Sequence, residues 1–303
     1  MGSTNSPYYS LLFLLVLVTF YCTGQENSLI APGATLELVA SDYEFTEGPA
    51  ADQEGNVFFT DQPNDRIIKW SAKDNSVSVY MQPSGRANGL HFDNTGNLLA
   101  CADEKNQLWR IDAQKNVTVL VDGIKDKKLN GPNDLWVDNN GGIYFTDPFY
   151  KRPWWNHEEP EQEAKRVYYL APDEKTVQVV ADEFVQPNGI IGTPDGKTLY
   201  IADIGNKKTY SYSINEDGSL SNKTLFTTMG SDGMTLDNQG NVYLTGDGVT
   251  VFNEQGDQIL HIPVDQKWTA NVTFGGNDYK KLFITAMNSV YTLDMEVRGA
   301  DTY

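Results

Sequence analysis

Side chains that carry oxygen recur through the sequence at similar intervals, and they are the residues best suited to chemistry. They occupy one equivalent position in six related segments, at Glu47, Asn88, Asn133, Asn188, Asp232 and Asn271. Carboxylates and amides form a hard, oxygen-only ligand set, which suits Ca²⁺ and, as alternatives, Mg²⁺ or Mn²⁺. Zn²⁺ is a weaker alternative because it prefers His or Cys. The histidines, His91, His157 and His261, fall at unrelated positions of the segments.

The segments that carry these residues predict the fold. Each reads as strand, turn and strand, as in EGPAADQEGNVFFTD from Glu47, with Asp, Asn or Gly at the turn. Further short strands such as RIIKW and RVYYL follow them. Six copies at intervals of 39 to 55 residues indicate an all-β protein, a six-bladed β-propeller. The strand-like TLELVA before the first copy is expected to complete the last blade.

A propeller brings equivalent positions together, because the innermost strand of every blade lines one central channel. The six residues above, here called the channel ring, are therefore expected to converge on the axis. Core positions of an all-β protein are mostly apolar, so a ring of oxygen side chains predicts a central divalent-cation site. The alternative is a polar, water-filled channel without an ion.

Aspartates on the second strand of the hairpins suggest a further layer. Counting residues around each turn pairs Glu47 with Asp61, Asn133 with Asp147, Asn188 with Asp203 and Asn88 with Asp103. We expect these aspartates either to orient the ring amides or to serve local strand-end hydrogen bonds. Asp134, beside Asn133, is expected to point away from the axis because side chains alternate along a strand.

The composition of the chain limits the kinds of molecule that it is expected to bind. The chain has 303 residues and a formal charge of −18, and its basic residues form no cluster beyond residues 125–128. This excludes a basic nucleic-acid-binding face and favours cations and neutral or weakly charged small substrates. The chain is expected to be a monomer or weak dimer.

The N-terminal segment resembles an export signal. Its apolar run at residues 11–21 is too short to span a bilayer. We predict a signal peptide at residues 1–24, one propeller domain at residues 25–303 and export to the periplasm or cell exterior, without a membrane span in the mature protein. A lipoprotein leader acylated at Cys22 is the alternative.

Several motifs on the ring carry a family resemblance. They are EGP at residues 47–49, NGPND at 130–134, PNGI at 187–190 and SDGMTLD at 231–237. Together they resemble the senescence marker protein (regucalcin)/gluconolactonase family over about residues 35–297. The resemblance implies a propeller with a catalytic divalent ion, held by Glu47, Asn133, Asn188 and Asp232. It makes Asp232 the general base and places Asn88 and Asn133 at the substrate.

The resemblance implies hydrolysis of a sugar lactone. The ion would polarise the ring carbonyl while Asp232, or an aspartate of the further layer such as Asp147, takes a proton from the attacking water. Tyr150, Trp154 and Trp155 either form a sugar-stacking wall or only pack down the long blade 3 insertion. Animal members carry an arginine where this chain has Gly131, which leaves the substrate open. Another ester or phosphotriester hydrolase on the same site, or a non-catalytic ligand-binding propeller, are the alternatives.

Overall fold

The fold is known from a computed structural model, which describes residues 1–3 and 29–300. Residues 4–28 and 301–303 lie outside the described residues, so the signal peptide, its cleavage before Gln25 and acylation of Cys22 stay predictions. The described residues contain no helix long and apolar enough to cross a membrane. Within them the only helix is one 3-10 turn, Gln62–Asn64.

The strands form six four-stranded antiparallel sheets, each a blade built in chain order from the channel outwards. Blade 1 contains β2 Thr46–Ala51, β3 Val57–Asp61, β4 Arg66–Trp70 and β5 Val77–Met81. Blade 2 contains β6 Ala87–Phe92, β7 Leu98–Ala102, β8 Gln107–Ile111 and β9 Val117–Val121. Blade 3 contains β10 Leu135–Val137, β11 Ile143–Asp147, β12 Arg166–Leu170 and β13 Val177–Ala181.

The remaining blades follow the same plan. Blade 4 contains β14 Pro187–Gly192, β15 Thr198–Asp203, β16 Lys208–Ile214 and β17 Leu220–Thr227. Blade 5 contains β18 Met234–Leu236, β19 Val242–Gly246, β20 Gly248–Phe252 and β21 Gln258–Ile262. Blade 6 contains β22 Asn271–Gly275, β23 Lys281–Ala286, β24 Ser289–Asp294 and, as its outer strand, β1 Glu37–Ala40. The predicted six-bladed propeller is confirmed.

The ring of blades is closed by the N-terminal strand. β1 pairs antiparallel with β24, so residues from both ends of the described chain share blade 6. This confirms the expected place of the TLELVA segment. Pairing the two ends satisfies the outer edge of β24, which would otherwise expose unpaired backbone groups.

The core lies between neighbouring blades and is rich in aromatic residues. Trp70 and Phe283 pack together from blades 1 and 6, with ring centroids 5.6 Å apart. Tyr144 and Tyr169 pack within blade 3 at 4.5 Å. Large, flat side chains fill the wedge between twisted sheets, and their burial holds each inner strand at the channel.

Glycines directly after ring residues let the inner strands approach one another. A side-chain carbon at Gly48 would lie 2.1 Å from the carbonyl oxygen of Asn88, and one at Gly89 would lie 2.4 Å from that of Asn133. The amide of Gly89 instead donates a 2.7 Å hydrogen bond to the Asn133 carbonyl. Neighbouring blades therefore touch through their backbones at the level of the channel ring.

The register predicted for the hairpins is wrong by one residue where the inner strand bulges. Asp61 pairs with Thr46, and Glu47 pairs with Thr60, with the register shifting before Ala50. Blade 4 repeats this, since Asp203 pairs with Pro187 rather than with Asn188. Counting residues from the turn assumed an even ladder, whereas a bulge adds one residue to one strand.

A candidate active site in the central channel

Asp232 stands at the centre of a hydrogen-bonded chain at the channel ring. Its Oδ1 accepts a 2.6 Å hydrogen bond from Nδ2 of Asn188, and its Oδ2 accepts one of 2.6 Å from Nε1 of Trp268. Nδ2 of Asn188 also donates to the hydroxyl of Tyr150 at 2.9 Å. Both oxygens of Asp232 are thus held by donors, which fixes the orientation of its carboxylate.

Glu47 anchors the opposite part of the ring. Its Oε2 accepts a 2.7 Å hydrogen bond from the amide of Gly48 and a 3.1 Å one from Nδ2 of Asn271. Glu47 is buried, and so is Asn271, whose Oδ1 accepts from the amide of Val272. The structure therefore brings the first and last ring residues of the chain together.

Asn88 and Asn133 complete the ring, and their side chains form no hydrogen bond within the part of the chain that the structure describes. Both are buried. Their carbonyl oxygens accept from Oγ1 of Thr60 and from the amide of Gly89, so neighbouring blades fix their backbones. The side chains of both are available to a ligand in the channel.

Two side-chain amides of the channel ring have an oxygen that lacks a hydrogen-bond donor within the described chain. Oδ1 of Asn88 and Oδ1 of Asn188 are buried and have no hydrogen-bond donor among residues 1–3 and 29–300. An unpaired buried acceptor costs about 1–3 kcal/mol, and native proteins rarely leave one without a water or ion. These oxygens lie on the ring that also carries Glu47 and Asp232.

The carboxylates of the channel destabilise one another's charge. Burial, followed by the charge of Asp232, raises the pKa of Glu47 well above its usual value. Burial also raises the pKa of Asp232 to about 6, although Trp268 and Asn188 oppose the shift. A bound cation would favour the ionised form of both groups, because opposite charge lowers a carboxyl pKa.

The donor set fits a hard cation. Among residues 1–3 and 29–300, no three His, Cys, Asp or Glu side chains gather closely enough to hold a metal ion. The candidate set instead combines the carboxylates of Glu47 and Asp232 with amide oxygens of Asn133 and Asn188. Such a mixture neutralises a dication and adds neutral oxygen ligands, which is the chemistry Ca²⁺ prefers.

Asp134 lies in the channel, so the expected outward orientation is wrong. It is buried and lines the cavity below the ring together with Ala50 and Leu90. Its Oδ1 accepts from the amide of Leu135, and burial raises its pKa to about 7. Side-chain alternation fails here because β10 begins only at Leu135, and the preceding residues bond irregularly to Thr146.

The second-strand aspartates hold backbone loops. Asp61 accepts from the amides of residues 44 and 45, Asp147 from those of 130 and 131, and Asp203 from those of 185 and 186. These amides always lie three and two residues before the ring residue of the same blade. Within the described chain none of the three bonds directly to a ring side chain, so their support for the ring passes through the backbone.

Asp103 breaks this pattern, because it holds the blade 3 insertion. Its Oδ2 accepts from Nε of Arg152 at 2.6 Å and from Nε2 of Gln62 at 3.0 Å. Its carbonyl accepts from Nε1 of Trp155 at 2.7 Å. Trp155 is buried and stacks on His157, so it packs the insertion down rather than facing the channel.

Tyr150 and Trp154, the other two residues predicted to form a sugar-stacking wall, differ in their relation to the ring. Tyr150 reaches the ring through its bond to Asn188, and burial raises its pKa to about 12, with the charge of Asp232 adding to the shift. Trp154 has no recorded contact with a ring residue and lies against the guanidinium groups of Arg86 and Arg152.

Trp268 is a functional candidate that the sequence did not reveal. It lies in the irregular segment between β21 and β22, where no strand pattern gives its direction. An isolated tryptophan three residues before ring residue Asn271, in an otherwise polar stretch, was the available signal.

Comparisons with known proteins identify the family. The family model described as "SMP-30/Gluconolactonase/LRE-like region" matches residues 45–288. The chain belongs to this family. A gluconolactonase from Zymomonas mobilis is 26% identical over 90% of this chain and 85% of its own length. Regucalcin from Xenopus laevis is 27% identical, over 82% of this chain and 85% of the relative.

A solved structure adds to the family match. A gluconolactonase from Xanthomonas campestris is 29% identical and superposes with a TM-score of 0.82, over 89% of this chain and 91% of that one. The expected family is confirmed, and the names of these relatives agree with the expected enzyme class.

Proposed function

We propose that this protein is a metal-dependent hydrolase that opens the ring of a sugar lactone. Its family membership and the gluconolactonases among its relatives support the reaction class. The observation that carries the proposal is the channel ring itself, where the buried carboxylate of Glu47 and the partly exposed one of Asp232 stand with amide oxygens that have no donor among the described residues.

Four ring residues would hold the ion: Glu47, Asn133, Asn188 and Asp232. When bound, Ca²⁺ would supply a Lewis acid for the lactone carbonyl and for the negative charge that forms on it. Mg²⁺, Mn²⁺ or Zn²⁺ are the alternatives. Asn88 stands beside these residues on the ring and would contact the substrate.

Asp232 is suited to the role of general base. Its carboxylate is mainly ionised at neutral pH, and a bound cation would favour that form further, so it can accept a proton from water. The hydrogen bonds from Trp268 and Asn188 hold the carboxylate of Asp232 in one orientation. Hydrolysis then places the water proton on the carboxylate and the hydroxyl oxygen on the carbonyl carbon. As the bond from the carbonyl carbon to the ring oxygen breaks, the ring oxygen takes this proton from Asp232 and leaves as an alcohol.

Tyr150 is suited to bind substrate oxygen. Its hydroxyl oxygen already accepts from Asn188, which leaves its proton free to donate. Because its pKa lies near 12, the hydroxyl stays protonated at neutral pH. A donor placed beside Asp232 can fix the lactone while the base acts on water.

The test is acid release from glucono-1,5-lactone before and after chelation, with Ca²⁺ restored afterwards. We expect chelation to abolish hydrolysis and Asp232→Asn to lower kcat/KM by about 10²–10⁴-fold, as loss of a positioned base does. Asp257→Asn is the matched control, because it removes one charge from an exposed turn at the opposite end of the same blade.

The outcomes separate the alternatives. Full activity after chelation, or in Asp232→Asn, contradicts the mechanism. Turnover of phenyl acetate or a phosphotriester without any lactone activity indicates another hydrolase on the same site. Ca²⁺ binding without turnover of any of these substrates indicates a ligand-binding propeller.

A further inference from the structure

Arg152, from the blade 3 insertion, reaches the mouth of the channel. Its Cζ lies 5.5 Å from the ring centroid of Tyr150 and 5.8 Å from that of Trp154. Its positive charge partly offsets the rise that burial causes in the pKa of Asp232. A chain of contacts therefore runs from Arg152 through Tyr150 and Asn188 to the candidate base.

The guanidinium is held in place from behind. Its Nε donates to Oδ2 of Asp103 at 2.6 Å, and Asp103 is only 1% exposed. Gln62 donates to the same oxygen, so the carboxylate is fixed in turn. Among the described residues the Nη groups of Arg152 form no recorded hydrogen bond, although a planar guanidinium carries five donors. The clamp thus orients the side chain and leaves its outer donors unused.

Two further donors beside Arg152 lack acceptors. Nε1 of Trp154 and Nε of Arg86 are buried without a hydrogen-bond partner among the described residues. Arg86 stacks on Trp154, with its Cζ 4.6 Å from the ring centroid, and its nearest carboxylate oxygen, on Glu104, is 3.9 Å away. Buried donors without partners indicate water or a ligand that supplies acceptors.

Together Arg86, Tyr150, Arg152 and Trp154 form a surface of aromatic faces and hydrogen-bond donors, here called the donor wall. Its cations are offset by Asp103 and by Glu104, and Asp232 lies close by. The wall therefore does not present a net positive charge that would select an anion. Aromatic faces with edge donors suit the C–H faces and hydroxyl oxygens of a neutral polyol.

We propose that Arg152 is a specificity-determining residue that binds the hydroxyl groups of a polyhydroxylated lactone. The inference rests on the proposed function. It gives the donor wall the role of recognising the substrate, separate from the groups that carry out the reaction. It predicts discrimination between a sugar lactone and an unsubstituted lactone of the same ring size, because only the former offers hydroxyl oxygens to the wall.

The experiment compares kcat/KM for glucono-1,5-lactone and δ-valerolactone in Arg152→Met, which keeps the length of the side chain and removes its donors. We expect a loss of about 10–100-fold on gluconolactone, the range for hydrogen bonds to charged groups, and less than about 2-fold on valerolactone. Lys151→Met is the matched control, since Lys151 is exposed and pairs with Glu158. It should change neither value.

Two other variants sharpen the result. Arg152→Lys keeps the charge but loses the planar fork, so its loss on gluconolactone should be intermediate. Asp103→Asn leaves Arg152 present but weakly held, and should raise KM for gluconolactone more than it lowers kcat. Melting temperatures identify any variant that has lost its fold.

Equal losses on both lactones in a folded Arg152→Met protein, or no loss on either, overturn the inference while leaving lactonase activity intact. If the wild type hydrolyses neither lactone, the proposed function fails, and calorimetry with the neutral polyol D-sorbitol then decides the inference. Binding that Arg152→Met weakens about tenfold supports the donor wall, and absence of binding to the wild type overturns it.

Discussion

The same inner strands build both halves of the central channel, yet the two halves differ in the polarity of the side chains that line them. At the ring, Glu47 and Asn188 are buried, and Asp232, which is partly exposed, adds a second carboxylate to their oxygens. A few residues further along the strands, the lower half is lined mainly by apolar residues around a cavity of about 60 Å³, with Asp134 and Asn271 among the polar exceptions. The apolar residues include Ala50, Leu90, Leu135, Ile190, Met234 and Leu236.

This contrast separates a part of the channel that stabilises the fold from the part that we propose binds the ion and the substrate. Apolar side chains in the lower half gain free energy by burial alone. The ring has carboxylates whose pKa values rise and amide oxygens without donors among the described residues, which weakens the unliganded fold. Substitutions in the lower half should therefore change stability, whereas substitutions in the ring should change binding and catalysis.

The largest effect on stability should come from the lower half. Leu236 is 3% exposed and packs in the core cluster of blades 3, 4 and 5. Leu236→Ala should lower the free energy of unfolding by about 2–5 kcal/mol, because it leaves a cavity. Urea unfolding followed by tryptophan fluorescence measures this change. Ca²⁺ affinity of the folded variant should stay within about 2-fold of the wild type.

Leu225→Ala is the matched control for that variant. Leu225 lies on the outer strand β17 and is 47% exposed, so the same truncation should change the free energy of unfolding by less than about 0.5 kcal/mol. Equal destabilisation by the two substitutions would show that the lower channel is not part of the core.

The ring should show the reverse behaviour. Glu47→Gln removes one of the two carboxylates proposed as ligands, and we expect Ca²⁺ affinity to fall by about 100-fold, since ligand charge sets the affinity of such sites. Calorimetry of metal-free protein measures the affinity, and the unfolding experiment above measures stability in the same samples.

The pKa of Glu47 predicts how Glu47→Gln changes the stability of the metal-free protein. The folded-state pKa of Glu47 is raised, so its contribution to stability is present below the usual glutamate pKa and is lost as pH rises. At neutral pH the ionised side chain is therefore unfavourable in the metal-free fold, and neutral Gln should leave unfolding unchanged or more difficult. A clear loss of stability without metal would make Glu47 a structural residue.

The sequence predicted the ring better than its surroundings, for a physical reason. Repeats place equivalent residues on the axis whatever the local details, so Glu47 and Asp232 could be located from their segments alone. The position of Asp61 depended on an even ladder, and a single bulge moved its partner from Glu47 to Thr46. Counting residues from the turn cannot detect a register shift of one residue. In the sequence, the glycine that permits the bulge looks the same as a glycine in a turn.

Residues that leave the regular strands were missed or misjudged. Asp134 precedes β10 rather than belonging to it, and alternation gave it the wrong direction. Arg152 and Trp268 come from irregular segments, which carry no period from which a direction could be read. Their roles emerge only from the contacts with Asp103 and Asp232. The function that we propose for this channel therefore depends on loops that the repeat does not describe.

The smallest effect should come from the hydrogen bond that Trp268 donates to Asp232. Trp268→Phe keeps an aromatic side chain but removes the Nε1 donor at 2.6 Å from Oδ2. The carboxylate then retains only the bond from Asn188, so we expect kcat for glucono-1,5-lactone to fall by about tenfold, or about 1.4 kcal/mol. Steady-state kinetics with saturating Ca²⁺ measures it, and KM should change less than kcat. Because the residue only orients the base, a loss as large as that of Asp232→Asn would instead place Trp268 in direct contact with the reacting groups.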